Sequence, residues 1–309
     1  MKKLRASVIG IGQLGQHHTR IYNELPEVDL VGICDINDEK SEKAQEYNIP
    51  FYKDYHDLID KVDVVSIATP TKLHYTIAKT LVTHNIHVLI EKPITNSVTE
   101  ADELITLARE KNVFLQVGHI ERYNAAFKAV KKIAKKIKFI EIHRLGPFTP
   151  RISDCGVVLD LMIHDLDIIL TLLRSKIIYL DAVGVNVLSH HEDIANARLK
   201  FENGAIANIT ASRLTPEKQR KIRIWQDDAY ISLDYQNQAG LIYRKELFGI
   251  SKKEIDIQKE EPLRSELQEF IKAVIKNAPH DRVDIDARNA LHVALQILDS
   301  IKENNKRLK

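Results

Sequence analysis

A glycine-rich turn near the N-terminus constrains this chain more than any other feature of its sequence. The apolar run Leu4–Ile9 precedes Gly10, Gly12 and Gly15, which follow the pattern G-x-G-x-x-G. Such a run is typical of a buried parallel strand. The three glycines permit a tight turn, a close approach of phosphate to the backbone, and close packing of the next helix. The sequence therefore predicts a dinucleotide-binding unit at this position.

An acidic residue ends the second predicted strand, 30–35. Asp35 follows Gly15 by twenty positions, and a carboxylate there would accept hydrogen bonds from an adenosine ribose and repel a 2′-phosphate. This charge favours NAD over NADP as the cofactor. The cofactor contacts predicted in this region are Gly10, Ile11, Gly12, Gln13, Leu14, Gly15, Asp35 and Ile36.

Strand and helix patterns alternate along the first third of the chain and then change. An α/β fold is predicted, with a Rossmann domain over 1–120 that holds a doubly wound parallel sheet. Residues 121–309 are predicted to form a second α/β domain with a large, mostly antiparallel open sheet, since Asn203-Gly204 is a hairpin signal. The last helix could pack back on the first domain. The open sheet is the expected oligomer interface of a homodimer or homotetramer.

The charge balance and hydropathy exclude several classes of protein. Lys and Arg number 45 and Asp and Glu 43 among 309 residues, so no global field favours nucleic acid or membrane as a partner. No apolar run reaches the length of a membrane span, and the first predicted strand lies too close to Met1 for a signal peptide. A cytoplasmic protein is expected. Its two cysteines, Cys34 and Cys155, suit a reducing compartment.

Four further segments lie at 68–74, 91–93, 118–124 and 156–167, and read ATPTKLH, EKP, GHIERYN and GVVLDLMIHDLD. Together with the glycine turn they resemble the Gfo/Idh/MocA family of sugar and inositol dehydrogenases over nearly the whole chain. The resemblance implies a small-molecule substrate and an enzyme that transfers hydride to NAD. Two positions depart from the family pattern, Met162 in place of a frequent glycine and Ala125 in place of a frequent proline.

Lys92 follows a predicted strand at the edge where open α/β sheets bind ligands. Its ammonium group could donate hydrogen bonds to a reacting hydroxyl, and the resemblance assigns it the central catalytic role. The resemblance also implies that Thr69, Pro70, His74, Glu91 and Lys92 line the cofactor. An ordinary helix entry is the alternative for the loop at 69–74.

Asp160 and His164 are four residues apart on one predicted helix, so they share a face, and Asp167 lies near it. An imidazole suits the removal of a hydroxyl proton, and a neighbouring carboxylate would orient it. The resemblance supports a catalytic and substrate-binding role for both residues. No metal is expected, because one helix cannot direct all these ligands at one ion. The other histidines considered, among them His17 and His18, are interpreted as surface or core residues.

The remaining predicted substrate contacts are Arg122, Tyr123, Asn124, Arg144 and Arg151. Arg144 and Arg151 flank a Gly-Pro turn and could bind a diphosphate, or they could form ordinary salt bridges. The segments resemble most the branch of the family that oxidises UDP-N-acetylglucosamine at C3 to the 3-keto sugar. Two alternatives stay open, a dehydrogenase of a free sugar or inositol, and a dinucleotide-binding sensor or regulator without catalysis.

Overall fold

The computed structural model of the protein describes residues 3–149, 155–278 and 282–307. The chain forms two units, one of Met1–Ile120 with Glu261–Arg288 and one of Glu121–Glu260 with Asn289–Lys309. Residues 261–288, which the sequence analysis placed in the second domain, therefore belong to the first. The physical reason is apolar burial, because Leu267 and Phe270 lie in the core of the first unit.

The first unit holds a six-stranded parallel sheet. Its strand order is β3-β2-β1-β4-β5-β6, which confirms the predicted doubly wound sheet. The strands are β1 (Leu4–Ile9), β2 (Val28–Cys34), β3 (Phe51–Tyr52), β4 (Val64–Ile67), β5 (His87–Glu91) and β6 (Leu115–Gly118). The helices of this unit are α1 (Gln13–Glu24), α2 (Ser41–Glu46), α3 (Thr71–Thr83), α4 (Val98–Glu110) and α7 (Pro262–Ile275).

Parallel pairing places the carboxyl ends of these strands at one edge of the sheet. The glycine turn follows β1, Asp35 follows β2, and Lys92 follows β5. In open α/β sheets this edge is where ligands bind, close to the point at which the strand order reverses. Here the order reverses between β1 and β4.

The second unit holds an eight-stranded sheet in the order β14-β13-β12-β11-β7-β10-β9-β8. Its strands are β7 (Ile137–Leu145), β8 (Ile177–Val185), β9 (Ile194–Phe201), β10 (Ile206–Ser212), β11 (Gln219–Gln226), β12 (Ala229–Asp234), β13 (Ala239–Glu246) and β14 (Gly249–Glu254). Only the described pair β7 and β10 is parallel, so the sheet is mostly antiparallel, as predicted. The helices are α5 (Ala125–Ile133), α6 (Ile163–Leu173) and α8 (Val283–Arg307). The first residues of α8, 283–288, belong to the first unit.

The two faces of this sheet differ in chemistry. On the inner face the cross-strand neighbours Ile140, Ile224, Ile231 and Ile242 are buried in the core of the unit. On the outer face the same strands carry a row of aromatic rings that are tilted against one another, at Phe139, Trp225, Tyr230 and Tyr243, with the centroids of neighbouring rings 5.0–5.5 Å apart. These rings are half-buried. The alternation of side chains along each strand produces both rows.

Among the helices of the described residues, none is both long and apolar enough to cross a membrane.

Candidate active site

The glycine turn has the geometry that a dinucleotide requires. Gly10 has φ of 88°, and a Cβ there would lie 2.7 Å from the carbonyl oxygen of Ala68. A Cβ on Gly15 would overlap with the carbonyl of Gly10, so both positions need glycine because the chain itself packs closely. At Gly12 a Cβ would meet no described atom within 4 Å. The open space beside Gly12, at the start of α1, fits the pyrophosphate of NAD.

Asp35 lies directly beside the glycine turn. Its Oδ2 accepts a hydrogen bond from the main-chain N–H of Ile11 at 2.6 Å, and its Oδ1 accepts from that of Asn37 at 2.9 Å. The Ile11 side chain is buried in the core, so only its main chain is available to a cofactor. Among the other predicted contacts, Gln13, Leu14 and Ile36 are exposed.

The ring of His74 is buried between two loops. Its Nδ1 lies 2.9 Å from the carbonyl oxygen of Pro93 and its Nε2 lies 2.8 Å from that of Thr69. Burial lowers the pKa of His74, and a neutral imidazole donates through one nitrogen only. The ring thus lies between the loops after β4 and β5 and donates to one of these two carbonyls. Its contact with the cofactor stays a prediction.

Glu91 is also engaged within the protein. Its Oε1 lies 3.1 Å from Nε2 of His18, and its Oε2 accepts a hydrogen bond of 3.3 Å from the main-chain N–H of Lys92. Burial by itself would raise the pKa of Glu91, but the hydrogen bond from His18 and the charge of Lys92 outweigh it, and the pKa lies below its usual value. Glu91 is thus a buried carboxylate that supports Lys92 rather than an open cofactor contact. Lys92 itself is half-buried.

In the second unit Asp160 and His164 lie on consecutive helical segments. Asp160 belongs to a wide π-helical turn, Val158–Met162, and His164 is the second residue of α6. Both side chains are half-buried. The helix predicted over 157–174 is therefore continuous but widened to a π-helical turn near its start, a feature common at functional positions.

A distant loop supports the start of this helical segment. The Glu192 side chain accepts a hydrogen bond of 3.1 Å from the N–H of Val158, and its main-chain oxygen accepts one of 3.0 Å from Val157. A Cβ on Gly156 would overlap with the Glu192 carboxylate. Glu192 therefore caps the segment that carries Asp160, and no local sequence signal revealed it, because it lies more than thirty residues away.

Three predicted substrate residues after β6 are largely satisfied inside the second unit. Arg122 donates through Nε to Asp167 at 2.6 Å and through a second nitrogen to the same carboxylate. Tyr123 is buried. Asn124 donates to the carbonyl oxygen of Tyr235 at 3.2 Å and caps α5 by accepting from Ala126 N–H at 3.0 Å. Tyr123 and Asn124 therefore have structural contacts of their own, and their substrate contacts stay predictions.

Arg144 is the clearest departure from the predicted site. Its side chain is 4 % exposed and donates to both oxygens of Asp165, at 2.8–3.1 Å, and to Glu121 at 2.9 Å. Burial alone would lower the pKa of Arg144, but the two carboxylates raise it above its usual value. Each of its three nitrogens already donates to a carboxylate and the side chain is buried, so the structure does not support a diphosphate contact. Arg144 instead forms ion pairs with Asp165 and Glu121, which is the alternative given in the sequence analysis.

Two further predictions concern Arg151 and metal ions. Arg151 lies outside the described residues, and its role in binding a diphosphate stays a prediction. Within the ranges that the structure describes, no group of three or more His, Cys, Asp or Glu side chains is arranged to hold a metal ion.

Replacing Arg144 with methionine should lower the free energy of unfolding by about 3–5 kcal/mol, because Asp165 would stay buried without its ion-pair partner and Glu121 would keep only the more distant Arg220. Arg220→Met is the matched control, since Arg220 is 46 % exposed and lies 3.7 Å from Glu121, and exposed pairs contribute only about 0–1 kcal/mol. Urea unfolding of the three proteins measures the difference. An Arg144→Met midpoint equal to that of the wild type would show that the triad does not stabilise the fold.

Comparison with known proteins identifies the family. A model of the oxidoreductase family Gfo/Idh/MocA, NAD-binding Rossmann fold, matches residues 4–119, and a Gfo/Idh/MocA C-terminal domain model matches residues 139–232. A UDP-N-acetylglucosamine 3-dehydrogenase of Acidithiobacillus ferrooxidans is 35% identical and covers 96% of this chain and 97% of its own. A scyllo-inositol 2-dehydrogenase (NAD(+)) of Bacillus subtilis is 26% identical, over 97% of this chain and 94% of its own.

A solved structure gives the same result. A structure of the Acidithiobacillus ferrooxidans UDP-N-acetylglucosamine 3-dehydrogenase superposes with a TM-score of 0.93 and covers 98% of this chain and 99% of its own. Both units of this protein therefore have counterparts in a solved relative. The chain belongs to the Gfo/Idh/MocA family and is an oxidoreductase whose first unit is an NAD-binding Rossmann fold.

Proposed function

We propose that this protein oxidises a secondary alcohol of a sugar nucleotide with NAD, and that its substrate is UDP-N-acetylglucosamine, oxidised at C3 to the 3-keto sugar. The observation that carries the proposal is the full-length similarity to a UDP-N-acetylglucosamine 3-dehydrogenase, at 35% identity over 96% of this chain. Similarity over the whole length includes the second unit, which holds Asp160 and His164.

The proposed reaction removes a hydride and a proton from one carbinol group. The glycine turn would hold NAD, which would supply the acceptor for the hydride that leaves the ring carbon. We assign removal of the hydroxyl proton to the imidazole of His164, whose intrinsic pKa range suits a general base, with Asp160 orienting it. Lys92 is assigned the hydrogen bond to the substrate oxygen, which becomes stronger as negative charge develops there.

Asp35 should make the enzyme prefer NAD to NADP, because its carboxylate would repel a 2′-phosphate. Asp35→Ala should reduce the difference between the affinities for NAD and for NADP. Asp35→Asn keeps an oxygen that can accept from the Ile11 N–H, so it isolates the effect of charge. Asp29→Ala, at an exposed position of β2, the strand that precedes Asp35, should leave the preference for NAD over NADP unchanged. Titrations of both nucleotides against the four proteins measure it, and equal wild-type affinity for NAD and NADP would contradict the assignment of Asp35.

Purified enzyme should form NADH with UDP-N-acetylglucosamine and not with N-acetylglucosamine or myo-inositol. Lys92→Ala and His164→Ala should each lower kcat by about 10²- to 10⁴-fold, the range of acid–base groups, while NAD binding persists. NADH absorbance measures turnover.

Other outcomes of this assay decide between the alternatives. Turnover with myo-inositol alone would favour an inositol dehydrogenase, in line with the 26% identical relative. Binding of NAD without turnover of any of these sugars would favour a sensor. A near-normal kcat in Lys92→Ala or His164→Ala would remove that residue from the mechanism.

The outer face of the eight-stranded sheet is the surface through which we infer self-association into a homodimer or homotetramer. The aromatic row at Phe139, Trp225, Tyr230 and Tyr243 supports this inference, because rings of this kind are enriched at interfaces. Tyr230→Glu should lower the mass measured by light scattering. Tyr47→Glu, at a half-buried tyrosine of the first unit, is the control. An unchanged mass in Tyr230→Glu would move the interface elsewhere. The cytoplasmic location stays a prediction.

A further inference from the structure

His18 is a fully buried histidine of α1, with 0 % of its surface exposed. Its Nε2 lies 3.1 Å from Oε1 of Glu91. An ionised carboxylate can only accept a hydrogen bond, so Nε2 of His18 carries the ring hydrogen and donates the hydrogen bond to Glu91. Among the described residues Nδ1 has no hydrogen-bond partner. Among the described residues, the hydrogen bond to Glu91 is therefore the polar contact that the ring of His18 makes.

The Glu91 carboxylate is fixed from three sides. His18 donates to Oε1, and the main-chain N–H of Lys92 donates to Oε2 at 3.3 Å. On the third side lies Gly118 of β6, where a Cβ would stand 3.1 Å from the carboxylate atoms. This close approach is possible because Gly118 has no side chain. The carboxylate position is thus determined jointly by α1, β6 and the chain at Lys92.

The bond joins two parts of the first unit that the sheet does not join directly. Helix α1 begins at Gln13, immediately after the glycine turn, whereas Glu91 ends β5 and precedes Lys92. Strand β1, which leads into the glycine turn, is separated from β5 by β4. The contact of His18 with Glu91 therefore ties the helix that follows the glycine turn to the chain that carries Lys92.

We propose that His18 is a positioning residue for Lys92, acting through Glu91. This inference rests on the proposed function, in which Lys92 contacts the reacting oxygen. Without His18, Glu91 would be a buried carboxylate that lacks its strongest donor, and it would move or take up a proton. The main-chain N–H of Lys92 would then lose an acceptor of fixed position. As a consequence, the ammonium group would no longer be held in the orientation that the reaction needs. The glycine turn would keep its own backbone contacts.

The test compares His18→Leu with His18→Gln and with His17→Leu. Leucine removes the donor, whereas the glutamine amide can place an N–H near the position of Nε2. His17 is the neighbouring, exposed histidine on the same helix, so His17→Leu controls for the type of change. Turnover is measured with NAD and UDP-N-acetylglucosamine, the Kd of NADH by fluorescence, and the hydrogen exchange of the Lys92 amide by NMR or mass spectrometry.

His18→Leu should lower kcat by about tenfold to a hundredfold, as small misplacements of catalytic groups do, with little change in the KM for NAD or the Kd of NADH. The Lys92 amide should exchange faster in His18→Leu. His18→Gln should restore most of the kcat and the amide protection, and His17→Leu should match the wild type. If His18→Leu fails to fold, Glu91→Gln, which removes the charge and keeps the shape, should show the same loss of kcat.

Several results would overturn the proposal. These are a wild-type kcat in His18→Leu or Glu91→Gln, an unchanged exchange rate at the Lys92 amide, or equal losses in His18→Leu and His18→Gln together with weaker NADH binding. The last pattern would mean that His18 only packs α1. Failure of the proposed function is distinguishable, because Lys92→Ala would then keep its turnover or the wild type would not turn over UDP-N-acetylglucosamine, while the exchange rate at Lys92 would still report on the His18 contact.

Discussion

Four carboxylates buried among the described residues are each compensated by a cation or a hydrogen-bond donor, and much of the site architecture depends on these pairs. An ion that leaves water without such a partner loses several kcal/mol of solvation. The four carboxylates and their partners are Glu91 with His18, Asp165 with Arg144, Asp167 with Arg122, and Asp193 with Arg213. Each pair joins elements that are distant in sequence, so each holds two segments in one arrangement.

In two of the family motifs of this chain, a buried side chain with an ionic partner stands next to a half-buried side chain. Glu91 is buried beside the half-buried Lys92, and Asp165 is buried beside the half-buried His164. The buried member anchors the segment, and its neighbour stays partly exposed. This division explains why a motif carries more polar residues than the chemistry uses. It also explains why Arg144, which looked like an anion ligand, serves as the counter-charge of Asp165 and Glu121.

Close packing of carboxylates on glycines adds a second level of positioning. Gly118 leaves room for the carboxylate of Glu91, and Gly156 leaves room for that of Glu192. In both cases the carboxylate bonds to main-chain N–H groups of a segment that carries a proposed catalytic residue, Lys92 in one case and Asp160 in the other. A side chain at either glycine would push the carboxylate away from those groups. Gly118 and Gly156 therefore contribute to the site by leaving room for these two carboxylates.

The sequence by itself determined the fold class, the NAD-binding turn and the family, because these depend on local patterns of apolar residues and glycines that any segment displays alone. It also located Lys92, Asp160 and His164 as candidates. Short edge elements such as β3 and β14 escaped it, since two to six residues carry little periodicity. The internal places of Arg144 and Asn124, the position of α7 in the first unit, and the hydrogen bonds of His18 and Glu192 to the proposed catalytic segments became visible only in three dimensions. Those facts depend on which distant side chains meet in the low-dielectric interior, where an unpaired charge is costly, and a linear pattern does not contain that information.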